Sequence, residues 1–163
     1  MNVDDKACDK TWQKTRVATR RQLGMSLAMQ PWTPRASLRG LPRRERALEQ
    51  LDTCFGKMLK KHGDEQQWLS QTFVHVSQNT ARTPVTEHVP CFLTNSVIYS
   101  FGKDQVVSGM GHLQAMGWPV DRVPSTIASD AQCRDLAGQS FSVPTAALLQ
   151  AIMIANPWAP WHQ

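Results

Sequence analysis

Apolar residues recur at helical spacing most clearly over residues 43–62. There Ala47, Leu48, Leu51, Cys54, Phe55, Met58 and Leu59 fall at i, i+3, i+4 and i+7, which makes one apolar stripe. Lys57, Lys60 and Lys61 crowd its last turn, where the helix dipole favours cations, and Gly63 is a natural stop. The β-branched and aromatic run Thr72–Val76 predicts a short strand. Residues 77–88 are polar and read as a loop. Cys91-Phe92-Leu93 and Val97-Ile98-Tyr99 are further short apolar runs.

A helix is expected over 104–117, with Val107, Met110, Leu113 and Met116 on its apolar face and Trp118-Pro119 ending it. Gly109 and Gly111 weaken that helix by about 1 kcal/mol each relative to alanine. Ser129-Asp130 can cap another helical region, and Thr145–Ala155 is strongly helical and apolar nearly all round. A helix so apolar needs a partner surface. Residues 1–40 read as a weakly ordered arm: Pro31, Pro34, Gly40 and Pro42 punctuate it, and a short helix within 12–29 would lack a clean apolar face. The tail 157–163 is expected to fray. The pattern therefore predicts an α+β fold, mainly helical, with a few short strands.

Composition narrows the class. The 163 residues are 41% hydrophobic, enough for one modest core. No apolar run reaches the ~18 residues of a membrane span, and the polar N-terminal stretch carries no apolar signal segment, so a soluble intracellular protein, nuclear or cytoplasmic, is expected. Cys8, Cys54, Cys91 and Cys133 are far apart, as are the five histidines, and no CxxC or HxxxH pair occurs, so no metal is expected.

Charge is unevenly placed. Residues 1–63 hold 14 Lys/Arg against 6 Asp/Glu, whereas 64–163 hold 4 against 7. A basic N-terminal part is attracted to polyanions. Its clusters are Arg16/Arg20/Arg21 and Arg35/Arg39/Arg43/Arg44/Arg46. Arg39, Arg43, Arg44, Arg46 and, further on, Arg82 are the candidate DNA contacts.

Three ordered segments carry a family likeness. The first is Val74–Arg82 (VHVSQNTAR) followed by Pro90–Ser96, the second Val106–Pro119 (VVSGMGHLQAMGWP), and the third Asp135–Pro144 (DLAGQSFSVP) followed by an apolar helix. Together they resemble the C-terminal part of the DNA cytosine-C5 methyltransferases: the variable recognition region, the ninth conserved motif and the tenth. The resemblance covers about residues 41–156. It implies a fragment of a methyltransferase-like α/β fold, with the helix after Pro144 packed on a catalytic sheet carried elsewhere. It also implies that the Gly138-Gln139-Ser140 turn closes one wall of an S-adenosylmethionine pocket. As a loop opening a helix, that turn would offer N–H groups and a hydroxyl to a carboxylate.

The departures are specific. Met110, Gly111 and Met116 stand where the family has Arg, Glu and Gln, and Gln139 stands for its Asn. No F-x-G-x-G cofactor loop, P-C-Q nucleophile segment or E-N-V segment is present. Pro90-Cys91-Phe92 lies in the wrong place for the nucleophile, and Cys91 is expected to be a buried, inert thiol. His75 with Asp104 or Asp121 and a serine could be drawn as a triad, but no G-x-S-x-G elbow exists. The expected function is thus a truncated or split DNA cytosine-C5 methyltransferase-like protein, not catalytic alone. It would bind S-adenosylmethionine only when completed by a catalytic half, and its partners would be DNA and that half. The alternative is a small basic nucleic-acid-binding or structural protein without catalytic role.

Overall fold

The computed structural model describes residues 3–42, 44–64, 68–78, 85–86, 88, 90–94, 96–122, 129–140 and 142–155. The fold is α+β and mainly helical. It divides into two compact units. Unit 1 is Met1–Cys91 with Ser96–Val107, and unit 2 is Phe92–Asn95 with Ser108–Gln163.

Unit 1 begins with α1 (Val3–Leu23) and α2 (Glu45–His62). The apolar stripe of α2 behaves as its spacing predicts: Ala47, Leu51, Cys54, Phe55 and Met58 are buried and Leu48 and Leu59 pack beside them. Gly63, at φ 75°, closes the helix by donating its N–H to the Leu59 carbonyl at 2.8 Å. The strands are β1 (Phe73–His75), β2 (Val85–Thr86), β3 (Ile98–Ser100) and β4 (Gln105–Val106), in the antiparallel order β2-β1-β3-β4. Val74 faces Tyr99 in the β1–β3 register. Both join Trp32, Leu41, Trp68, Val76, Phe101 and the α2 stripe in one core.

The N-terminal part departs from the expected weakly ordered arm. Residues 3–23 form the longest helix, and Trp32 is buried. The cause is ionic rather than apolar, which is why no clean apolar face announced it. Arg20 is buried and its guanidinium grips Glu49 of α2 at 2.6 and 2.7 Å, while its Nη1 donates to the Ser26 and Met29 carbonyls. Arg16 reaches Glu45 and Glu49, each at 3.0 Å. Contacts rise in step along both helices, from Arg16–Glu45 to Lys60 donating to the Gln22 carbonyl, so α1 and α2 run in the same direction. The Asp52 carboxylate then holds the Trp32 and Thr33 N–H groups at 2.8 and 2.9 Å. The 40/41 boundary falls inside this unit.

The expected helix over 104–117 is shorter. Val106 donates its N–H to the Arg39 carbonyl at 2.9 Å and Val107 to that of Ile98 at 2.8 Å. Two consecutive β-branched residues complete the sheet there instead of starting a helix. The helix α3 (Gly109–Ala115) begins after Ser108, whose hydroxyl accepts from the Gly111 N–H. In the segment expected to be loop, Val85–Thr86 forms β2.

Unit 2 contains α3, α4 (Asp130–Gln139) and α5 (Val143–Ala155). Ser129 and Gln132 form a capping box at the start of α4, as the Ser129-Asp130 pair predicts. Leu113, Cys133 and Ala137 are its buried centre, flanked by Met110, Met116, Trp118 and Val120. Gly109 explains itself here: a Cβ at that position would lie 2.7 Å from the Cys133 Cβ, so its absence lets α3 and α4 cross closely. Residues 157–163 lie outside the described residues. Among the described residues no helix is long and apolar enough to cross a membrane.

Candidate functional site

Unit 2 holds Ser108–Pro119 of the second motif-like segment and all of the third, Asp135–Pro144, and the two meet. The Val143 N–H at the head of α5 donates to the Met116 carbonyl at 2.9 Å. Gly117 has φ 82°, and a Cβ on it would lie 2.6 Å from Pro144 Cδ. Gly117-Trp118 thus forms the seat for Val143-Pro144. Beyond that seat α5 is apolar and bare: Leu148, Leu149 and Ile152 are 62, 55 and 56% exposed.

The candidate cofactor residues sit differently from the expected helix start. Gly138 and Gln139 are the last residues of α4, and Ser140 is its C-cap. The Ser140 N–H donates to the Ala137 carbonyl and its hydroxyl to that of Leu136, at 3.3 and 2.5 Å. The Gln139 amide donates to Asp135 at 3.0 Å. A helix C-terminus presents carbonyls and the negative end of the dipole, so it does not favour a carboxylate or phosphate. The residues therefore do not fit the amide cradle expected of them. Gly138 has a packing role instead: a Cβ there would lie 2.6 Å from Thr94 Cα.

The candidate DNA contacts are divided. Arg39 and Arg44 are exposed. Arg46 is half-buried and donates to the Gln78 carbonyl at 3.0 Å. Arg43 and Arg82 lie outside the described residues. In the second basic cluster Arg35 lies over the rings of Trp32 and Phe55, at 5.0 and 4.7 Å.

His75 is buried, with Nε2 2.9 Å from the Ser96 hydroxyl and Nδ1 3.1 Å from that of Ser77. Asp104 does not complete a triad with it. That carboxylate accepts from the Tyr99 hydroxyl and from the Ser37 and Leu38 N–H groups. Burial works to raise its pKa, but these hydrogen bonds prevail and hold it below the ordinary carboxylate value. Cys91 is exposed, contrary to the expected buried thiol, because Pro90 and Cys91 run outside both apolar cores. Cys54 is the inert one: burial pushes its pKa up to about 12 against the opposing charge of Lys57. Among the described residues no group of three His, Cys, Asp or Glu could hold a metal ion.

Burial pushes the His75 pKa below its ordinary 6.5, against a weaker backbone hydrogen bond that raises it. The unfolded chain therefore takes up the proton first. Stability is fully present above pH ~6.5 and falls as the pH drops toward the folded-state pKa. The urea midpoint should decline over that range, and His75→Gln should flatten the decline. Identical pH profiles for the two proteins would remove His75 from this account.

Missing from the sequence-based candidates are Lys14 and Lys60, both exposed, with Lys60 donating to the Gln22 carbonyl. The available signal for Lys14 was the four-residue spacing of Lys6, Lys10 and Lys14; no such spacing includes Lys60. Set against known proteins, the chain matches no family model, and a search of the curated proteins found no match.

Proposed function

We propose that this chain is a non-catalytic piece of a split or truncated DNA cytosine-C5 methyltransferase-like enzyme. It brings the recognition region and the last two motifs to a catalytic half carried on another polypeptide. The observation that carries this reading is α5: it is tethered at Val143 to the turn after α3 and leaves Leu148, Leu149 and Ile152 to solvent. That is the state of a helix whose sheet is on another chain. The seating of Val143-Pro144 on Gly117 supports the reading further, because it joins the two motif-like segments. The nucleophile and S-adenosylmethionine belong to the catalytic half, and we assign no cofactor contact to Gly138, Gln139 or Ser140. Arg39 and Arg44 are the exposed DNA-facing candidates of the original five. The reading sets the protein inside the cell, in nucleus or cytoplasm.

Mixing the full chain with a catalytic half that carries F-x-G-x-G and P-C-Q tests it, with labelled methyl transfer to duplex DNA as the readout. Transfer is expected from the mixture and not from this chain alone. Leu148→Asp with Ile152→Asp should lower it at least ~10-fold, since each buried side chain contributes about 1.5–3 kcal/mol. A mixture no more active than the catalytic half by itself sinks the proposal.

A further inference from the structure

We infer that the outward face of α1, continued by Lys60 of α2, is a binding surface for the phosphate backbone of a nucleic-acid duplex. The inference goes beyond the methyltransferase reading and does not need it, since it concerns unit 1 alone. The inward face of α1 is spent on holding the fold. Arg16 and Arg20 turn to Glu45 and Glu49, so two of the four cations in residues 12–23 are neutralised against α2. The other two, Lys14 and Arg21, are exposed.

Lys14 and Arg21 are seven residues apart, two helical turns, and so share one face with Val17 and Ala18 between them. With Gln13 these residues line an open groove of about 490 Å³. Lys6 and Lys10 continue the same four-residue spacing in the sequence. At the C-terminal end of α1 the exposed Lys60 donates to the Gln22 carbonyl at 3.1 Å, which sets a further ammonium at that end of the helix. The acids of α1, namely Asp4, Asp5 and Asp9, all fall in its first seven residues, and the stretch 12–23 has none.

The pattern selects the partner. One cation per turn or two along a straight row complements a regular line of single negative charges, which a phosphodiester backbone supplies. A helix lying on a lipid surface needs a face of Trp, Phe and Leu, and this face offers Val17 and Ala18. Lys14 and Arg21 act here as charges on phosphates rather than on base edges, so binding is expected to be indifferent to sequence.

Fluorescence anisotropy of a labelled 20-base-pair duplex, titrated with the full chain at several salt concentrations, tests this. Lys14→Gln with Arg21→Gln should weaken binding equally for unrelated sequences. It should also lower the salt slope by about 1.8, or 0.9 for each lost phosphate contact. Circular dichroism on the variant should be unchanged, because neither side chain holds α1 to α2. The inference is overturned if the wild-type chain binds no duplex at low salt. It is equally overturned if the slope survives this double change but is lost with Arg39→Gln and Arg44→Gln. Polyglutamate or anionic phosphatidylserine vesicles binding more tightly than the duplex would overturn it too.

Discussion

Replacing Glu49 with alanine should lower the unfolding free energy by about 3–5 kcal/mol, the largest loss expected from any single charged side chain here. Glu49 is 5% exposed and receives both arms of the buried Arg20, the Nε of Arg16 at 3.0 Å, and the Thr53 hydroxyl at 3.0 Å. Without it the Arg20 guanidinium keeps only the Ser26 and Met29 carbonyls, in a place water does not reach. A charge buried without its counter-charge costs far more than the pair itself contributes. For that reason Arg20→Leu together with Glu49→Leu should cost less than Glu49→Ala alone. Urea unfolding followed by circular dichroism measures all three. A Glu49→Ala loss under about 1 kcal/mol would mean that α1 is not held by this pair.

Phe55→Ala should cost a similar amount, about 3–5 kcal/mol, through a cavity. Phe55 is 1% exposed at the centre of an aromatic cluster. Its ring stacks on Trp32 with centroids 5.3 Å apart, meets Trp68 at 5.2 Å and Phe101 at 6.1 Å, and lies under the Arg35 guanidinium. Such clusters cannot collapse onto a missing ring without moving several large side chains. Because Trp32 and Trp68 flank the cavity, their fluorescence should shift along with the urea midpoint. A loss under about 1.5 kcal/mol with unchanged emission would place the core elsewhere.

What the sequence made legible follows from which forces are local. The α2 stripe, the Gly63 stop, the Ser129 cap and the strand at Phe73–His75 depend on spacing and on neighbours within a turn, and all appear where the pattern puts them. The helix α1 was not legible because its hold is the Arg20–Glu49 pair, 29 residues apart. Asp104 illustrates the same limit. Its φ of 48° and its contacts with Ser37 and Leu38 tie residues 66 and 67 apart, which no window over the chain can register. At the candidate site, the order helix, Gly-Trp-Pro, helix, apolar helix could be read along the chain. Which end of a helix the 138–140 segment occupies could not. Gly138 and Ser140 suit a helix start as well as a helix end by type, and the capping box at Ser129 with the ten residues after it decides the matter.

The interruption of unit 1 between Cys91 and Ser96 has a consequence for how the protein is made. Its sheet order β2-β1-β3-β4 puts β3 beside β1, yet β3 is synthesised after the chain has already left for unit 2 and come back. Until residue 107 has emerged from the ribosome, the nascent chain lacks β3 and β4, Tyr99 and Phe101 of the core, and the Asp104 anchor for residues 37 and 38. The apolar stripe of α2 and the ring of Trp32 are then covered by Leu41, Trp68, Val74 and Val76 but not yet by Tyr99 and Phe101, and a helix that forms early on local grounds must wait for a late strand. During that interval the unfinished unit leaves part of its apolar core without the rings of Tyr99 and Phe101.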